Sequence, residues 1–132
     1  MDPVTHPDEL YRTLTCLVIP RPIGWISTVD ETGEVNLAPY SYFNAVSSRP
    51  PVVFFSANER DGEVKNSSRN GLKTGEFVVN LVTEDLHSAM GATSVAADVD
   101  EFEAAGLERS PSLTVAPPAS RGREGVLERR GS

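Results

Sequence analysis

The residues best suited to chemistry in this chain form a short cluster of aromatic, amide and hydroxyl side chains. Asn36 is followed by the run "YSYFNA" over residues 40–45, directly before the apolar segment "PPVVFFSA". Aromatic rings cover flat apolar ligands, while amides and hydroxyls bond polar edges. The mixture is too polar for a core, which makes this cluster a candidate functional segment.

A second candidate lies in the segment "VKNSSRNGLKTGE", residues 64–76, between two strand-like runs. The asparagine and serines at 66–68 can cap a helix that ends near Gly75. Backbone N–H groups at a helix start attract anions, and Lys65 adds a positive charge, so the segment is suited to phosphate. The spacing differs from the nucleotide-binding P-loop, and an ordinary capped helix with an exposed lysine is the alternative.

Side chains for acid–base, nucleophilic or metal chemistry do not stand out. The sequence has no nucleophile elbow, no paired histidines and no carboxylate pair that its spacing singles out. We therefore predict no catalytic side chain and no metal site, which fits a protein whose cofactor carries the chemistry. The single cysteine, Cys16, is followed by Leu17 and Val18 and is predicted to be a buried, inert thiol.

The composition limits the partners. The chain has 132 residues and a net charge of −7, which disfavours nucleic acid because phosphate backbones select clustered lysine and arginine. Its opening, "MDPVTHPDELYRTL", is acidic where a secretory signal is basic and apolar, and no run is long enough to cross a bilayer. We expect a cytoplasmic protein that binds neither nucleic acid nor membrane.

Short strands and helices must position these residues. Hydrophobic periodicity and turn residues predict a helix over 8–18, a hairpin of strands 23–29 and 35–40, buried strands over 51–57 and 75–83, and short helices over 84–90 and 99–107. Trp25 is expected in the core or at an interface rather than against a ligand. The fold class is mainly β with short helices, an α+β arrangement.

The last residues differ from the rest of the chain. The segment "PASRGREGVLERRGS", 118–132, has four arginines, and Val126 and Leu127 are its only large aliphatic residues. We expect a disordered tail that follows a single domain over 1–117.

These motif blocks resemble the flavin reductase-like, FMN-binding split-barrel family, which includes the flavoredoxins. The resemblance rests on "RPIGWISTVDETGEVNLAPYSYFNAVSSRPPVVFFSA", "VKNSSRNGLKTGEFVVNLVTEDL" and "VDEFEAAGL", in the family's order, over about residues 8–118. It implies a six-stranded antiparallel split barrel, usually a homodimer. The barrel is expected to be incomplete at the C-terminus, where relatives continue with apolar strands.

The resemblance also implies a site for FMN. Asn36 and the segment 41–45 match the residues that line the isoalloxazine ring, and Lys65 with the two residues after it matches the phosphate-holding region. The implied cofactor-binding residues are Asn36, Ser41, Tyr42, Phe43, Asn44, Ala45, Lys65, Asn66 and Ser67. Ser27 and Thr28 are expected to approach the ribityl chain or the phosphate. In the alternative, Tyr40, Tyr42 and Phe43 pack a dimer interface or a barrel end.

The activity implied by the resemblance is electron transfer from NADH or NADPH, through bound FMN, to a flavin, ferric or protein acceptor. The protein then contributes orientation and exclusion of water rather than an acid or base of its own. Two alternatives remain open at this point. One is an FMN carrier or electron-transfer protein without catalysis, and the other is a truncated fragment without activity.

Overall fold

The structure is a computed structural model that describes residues 6–56, 66–94, 99–121 and 126–130. Strands dominate and the helices are short, as predicted. The helices are α1 (Pro7–Leu17), α2 (Asn66–Thr74), α3 (His87–Ala92), which a 3-10 turn at Glu84–Leu86 precedes, and α4 (Glu101–Ala104). The strands are β1 (Gly24–Val29), β2 (Val35–Tyr40), β3 (Tyr42–Ser48), β4 (Pro51–Ser56), β5 (Glu76–Asn80), β6 (Arg109–Ser110), β7 (Ala119–Ser120) and β8 (Val126–Arg130).

Four strands form the central antiparallel sheet, in the order β2-β1-β5-β8. β1 and β2 are the predicted hairpin, with Thr28 opposite Asn36. The turn is stabilised by Asp30, whose Oδ1 accepts the backbone N–H of Glu34 at 2.9 Å. Gly33 takes a φ of 90° there, a conformation that glycine adopts without a steric penalty. Among the described strands the sheet is not closed, since β2 and β8 form its two edges.

Two apolar clusters lie on opposite faces of this sheet. Side chains alternate between the two faces along a strand, so Trp25 and Ile26, which are consecutive in β1, belong to different clusters. The Trp25 cluster contains Trp25, Leu37, Leu86 and Phe102, and the Ile26 cluster contains Ile26, Tyr40 and Val79 with Phe43, Phe55 and Phe77 packed against them. Trp25 lies in the core, and its Nε1 donates a hydrogen bond to Thr93 Oγ1 at 2.9 Å.

β3 and β4 form a separate two-stranded ribbon with a bulge at Val46. The strand β3 was not predicted, and it includes residues 42–45, which pair with β4 in an antiparallel ribbon. The prediction that β4 is buried on both faces is also wrong, since the Phe54 side chain is 44% exposed. In the described part of the chain the ribbon meets the core through Phe43 and Phe55 on one side.

α1 lies on the surface of the described structure. The predicted helix is present, but it buries none of its residues. The prediction of a buried Cys16 is therefore wrong, and its thiol is exposed. Arg21 stabilises the end of α1. Its guanidinium donates hydrogen bonds to the carbonyl oxygens of Thr15 at 2.5 Å and of Val18 at 2.8 Å.

The remaining helices agree with the sequence prediction. α2 ends at Thr74, just before Gly75. The Asp100 side chain caps α4 by accepting the backbone N–H groups of Phe102 and Glu103. Of the helices that the structure describes, none has both the length and the apolar character needed to span a bilayer.

The segment after residue 117 is ordered where the structure describes it. β7 pairs with β6, and β8 pairs with β5 along the edge of the main sheet. The structure thus describes short strands at residues 119–120 and 126–130, where a disordered tail was expected. Backbone pairing with β6 and β5 forms these strands. The domain boundary at residue 117 stays a prediction.

Candidate functional site

The predicted flavin-contacting residues lie on β2, on β3 and on the single residue, Ser41, that joins them. Asn36 belongs to β2, and residues 42–45 form the first half of β3. A one-residue connection keeps the two strands adjacent while it redirects the chain from the sheet into the ribbon. The segment from 36 to 45 is therefore positioned by the sheet edge and the ribbon together.

Asn36 is held by a residue far away in sequence. Its Nδ2 donates a hydrogen bond to Glu101 Oε1 at 2.6 Å, and the neighbouring Leu37 N–H donates to Glu101 Oε2 at 3.3 Å. Glu101 is 9% exposed, and burial raises the pKa of its carboxyl above the ordinary value, with the charge of Asp100 acting in the same direction. Hydrogen bonds from Leu37 and Asn36 oppose that rise.

Tyr42 and Phe43 point in different directions, as neighbours in a strand must. The Arg21 guanidinium lies over the Tyr42 ring with Cζ 5.7 Å from the ring centroid, within the range of a cation–π contact. Phe43 instead packs against the Ile26 cluster. One ring of this aromatic pair thus contacts the core and the other is half-buried beside Arg21, and both interpretations of the pair stay predictions.

Ser41, Asn44 and Ala45 are exposed. The Asn44 Oδ1 accepts the backbone N–H of Ala45 at 2.8 Å, a local contact that fixes the amide against its own strand. These three residues lie beside the two aromatic residues in the chain, and Asn44 and Ala45 pair with Phe54 and Val53 of β4. Their assignment to a flavin site stays a prediction.

The predicted phosphate segment is described only in part. Lys65 lies outside the described residues, and Asn66 and Ser67 are the first two residues of α2, with side chains that are not described. α2 packs across β1, β2 and β5. A Cβ at Gly71 would lie 3.7 Å from the Phe55 ring, so α2 covers the face of the sheet that carries the Ile26 cluster.

Thr28 lies on that same face, two residues after Ile26, and opposite Asn36 in the hairpin. Thr28 is fully buried, and its Oγ1 has no hydrogen-bond partner among the described residues. A buried hydroxyl without a partner costs about 1–3 kcal/mol, so such groups normally have one. A polar ligand between α2 and the hairpin would supply the missing partner.

Ser27 makes hydrogen bonds within the protein. Its Oγ bonds to Pro118 O at 2.6 Å and to Asn80 Nδ2 at 3.3 Å. Asn80 Oδ1 in turn accepts the backbone N–H of Ser120 at 2.9 Å. Ser27 therefore anchors the segment 118–120 to the sheet, and its approach to a ligand stays a prediction.

Two residues near the predicted site were missed by sequence reasoning. Glu101 was assigned only to a short helix, because a bond between residues 65 positions apart leaves no local signal. Arg21 lies between two prolines at the start of the quoted motif. Its place in the sequence, between the predicted helix and the aromatic cluster, is a signal that could have identified its contact with Tyr42.

The chain is similar to known proteins of one family. The sequence profile described as the flavin reductase like domain matches residues 16–130. An uncharacterised protein of Aquifex aeolicus is 44% identical over 117 residues, which are 86% of this chain and 60% of the relative. The chain thus spans about 60% of the length of two curated relatives that it matches.

Solved structures agree with the profile. Nitrilotriacetate monooxygenase component B from Bacillus cereus superposes with a TM-score of 0.85 at 34% identity, over 91% of this chain and 60% of that one. The 2-nitrobenzoate 2-nitroreductase of Pseudomonas fluorescens gives a TM-score of 0.80 at 29% identity, over 92% of this chain and 59% of that one. The predicted split-barrel fold is confirmed by these matches, and the strands that the structure describes form a sheet that is not closed.

Proposed function

Because the chain belongs to the flavin reductase-like family, we propose that it binds FMN and passes electrons from NADH or NADPH through the flavin to an acceptor. The family match over residues 16–130 carries this proposal. It includes every residue of the predicted site. The activity needs no acid or base from the protein, in agreement with the absence of a catalytic pair in the sequence.

One observation in particular supports a bound flavin. The buried Thr28 hydroxyl has no hydrogen-bond partner among the described residues. A ribityl hydroxyl or a phosphate oxygen would satisfy it. The start of α2, with Lys65 before it, would hold the phosphate, since helix N–H groups and a lysine both favour an anion. Asn36 and the segment 41–45 would line the ring.

The flavin and the protein have separate roles in the proposed reaction. When bound, FMN accepts a hydride from the nicotinamide and passes the electrons to a flavin, ferric or protein acceptor. The chain itself binds and orients the flavin, and the aromatic residues 42 and 43 limit water around it. Donors along the polar edge of the ring favour the negative charge of the reduced state.

A homodimer in the cytoplasm is also part of the proposal. α1 buries none of its residues, and Leu17 is 74% and Ile19 68% exposed, which leaves apolar surface for a second copy. The supply of NADH and NADPH for the reaction is cytoplasmic. Light scattering after gel filtration would give twice the mass of the chain if this proposal holds, and a single-chain mass would contradict it.

The visible spectrum tests the main proposal. The purified chain is mixed with excess FMN, passed through gel filtration and scanned over the visible range in which oxidised flavin absorbs. Retained flavin in a ratio near one per chain is expected. NADH and NADPH are then added separately without oxygen, and bleaching identifies the donor.

Two other results would change the assignment. Retained FMN that neither nicotinamide bleaches would indicate a carrier rather than a reductase. A chain that retains no FMN would contradict the proposal for this length of sequence. That outcome is the one expected for a fragment, because the chain spans about 60% of its relatives.

A further inference from the structure

We propose that Glu101 is a positioning residue that sets the orientation of the Asn36 amide toward the flavin. The proposal rests on the proposed function, in which Asn36 lies beside the ring. It adds a residue from a separate helix, α4, that acts on the site through Asn36.

The first step is the geometry of the contact. One carboxylate receives two donors from consecutive residues of β2, the Asn36 side-chain amide at 2.6 Å and the Leu37 backbone N–H at 3.3 Å. Two anchoring points fix both the position and the plane of the carboxylate. The Asn36 side chain is thereby held at its nitrogen end.

The second step concerns the direction of the amide. A carboxylate only accepts hydrogen bonds, so the NH₂ end of Asn36 must face it and the carbonyl end must lie on the other side. The two ends of an amide differ little in shape, so its hydrogen-bond partners determine which end points where. Glu101 therefore fixes the NH₂ end of Asn36 toward α4.

The third step is the rigidity of the support. Glu101 follows the Asp100 cap of α4, and Asp100 forms an ion pair with Arg109. The adjacent Phe102 is buried in the Trp25 cluster. The carboxylate thus projects from a short helix that is fixed by its cap on one side and by the core on the other.

Isosteric substitution separates this role from simple packing. In Glu101→Gln the side chain keeps its shape but has one acceptor and one NH₂ group, so it can no longer accept from both Asn36 and Leu37. Glu103→Gln is the matched control, since Glu103 is an exposed glutamate on the same helix. Thermal unfolding establishes that each variant folds.

The first readout needs no flavin. In ¹⁵N–¹H spectra of the flavin-free chain, the two Asn36 side-chain N–H resonances, assigned from Asn36→Ala, should shift in Glu101→Gln and stay in place in Glu103→Gln. Unmoved resonances in Glu101→Gln would overturn the proposal. If Glu101→Gln does not fold, Glu101→Asp, which keeps the charge but shortens the reach, takes its place with the same expectation.

The second readout is a double-mutant cycle on FMN affinity. Glu101→Gln should weaken FMN binding roughly tenfold, the size of one hydrogen bond, and should have an effect of less than about twofold when Asn36→Ala is already present. Equal losses in both backgrounds would overturn the proposal, because Glu101 would then act independently of Asn36. A wild-type chain that binds no FMN would instead overturn the proposed function, while the resonances still decide whether Glu101 orients Asn36.

Discussion

Gly24 and Phe43 are in such close contact that a Cβ at Gly24 would lie 2.7 Å from both Cγ and Cδ2 of the Phe43 ring. Gly24 opens β1, and Phe43 is the second residue of β3. This contact joins the central sheet to the ribbon directly beside the predicted flavin segment. The absence of a side chain at residue 24 therefore sets how closely the ribbon approaches the sheet.

Gly24→Ala should destabilise the chain by about 1–3 kcal/mol, the usual cost of overpacking, because ring atoms and backbone must move apart. It should also weaken FMN binding by displacing the β3 segment. Denaturant unfolding and flavin fluorescence titration measure the two effects. Gly91→Ala is the control, since a Cβ at Gly91 in α3 meets nothing within 4 Å. A Gly24→Ala variant as stable as the control would refute the close contact.

Thr28→Val should have opposite effects on stability and on binding. Without flavin, removing a buried hydroxyl that has no partner among the described residues should leave the free energy of unfolding unchanged or raise it by about 1 kcal/mol. With flavin, the lost hydrogen bond should weaken FMN binding by several-fold. Unfolding curves with and without FMN give both numbers.

Thr93→Val is the matched control for Thr28→Val. The Thr93 hydroxyl accepts from Trp25 and donates to Met90 O at 2.8 Å, so its removal should lower stability and leave FMN affinity unchanged. A loss of stability in Thr28→Val similar to that in Thr93→Val would mean that Thr28 has a protein partner.

Lys65→Ala should weaken FMN binding by about 1.5–3 kcal/mol, the range for a hydrogen bond to a charged group. Riboflavin lacks the phosphate, so its affinity should not change. Lys73→Ala serves as control, because Lys73 lies at the other end of α2 in an exposed ion pair with Glu31. Equal losses for FMN and riboflavin would remove Lys65 from the phosphate site.

Glu101 should make the stability of the chain depend on pH. Its pKa is raised in the folded state, chiefly by burial, so the folded chain holds its proton to higher pH than the unfolded chain does. Stability from this group is complete below the ordinary glutamate pKa of about 4.3 and falls as pH rises through the raised value. Glu101→Gln lacks this titration.

The difference in melting temperature between Glu101→Gln and wild type should therefore change with pH in one direction. The melting temperature of Glu101→Gln relative to wild type should increase as pH rises from below the ordinary glutamate pKa to neutral. Parallel curves for Glu101→Gln and wild type would contradict the raised pKa.

Much of the fold follows from local patterns. The hairpin of β1 and β2 was predicted because alternation and the turn before Gly33 are both encoded within a few residues. β3 was missed because most of it is exposed, which removes the alternation that identifies a strand. Cys16 was misplaced because the apolar face of α1 has no covering element in the described chain.

Only part of the candidate site can be predicted from local sequence patterns. The motif containing Asn36 could be found from residue types, but its partner Glu101 could not, since their contact depends on how α4 packs on the sheet edge. Ser27 and Thr28 are neighbours of similar chemistry, and only the alternation of the strand separates a structural anchor from a candidate ligand contact.

The edge of β2 has a consequence for the behaviour of the chain in a crowded solution. An exposed strand edge offers N–H groups that can recruit strands from other molecules and start aggregation. Along this edge, Pro39 has no N–H to offer, and the Leu37 N–H is already bonded to Glu101. The carboxylate that orients Asn36 thus also protects the open sheet against strand addition at this edge, so its loss should lower the concentration at which the protein stays monodisperse.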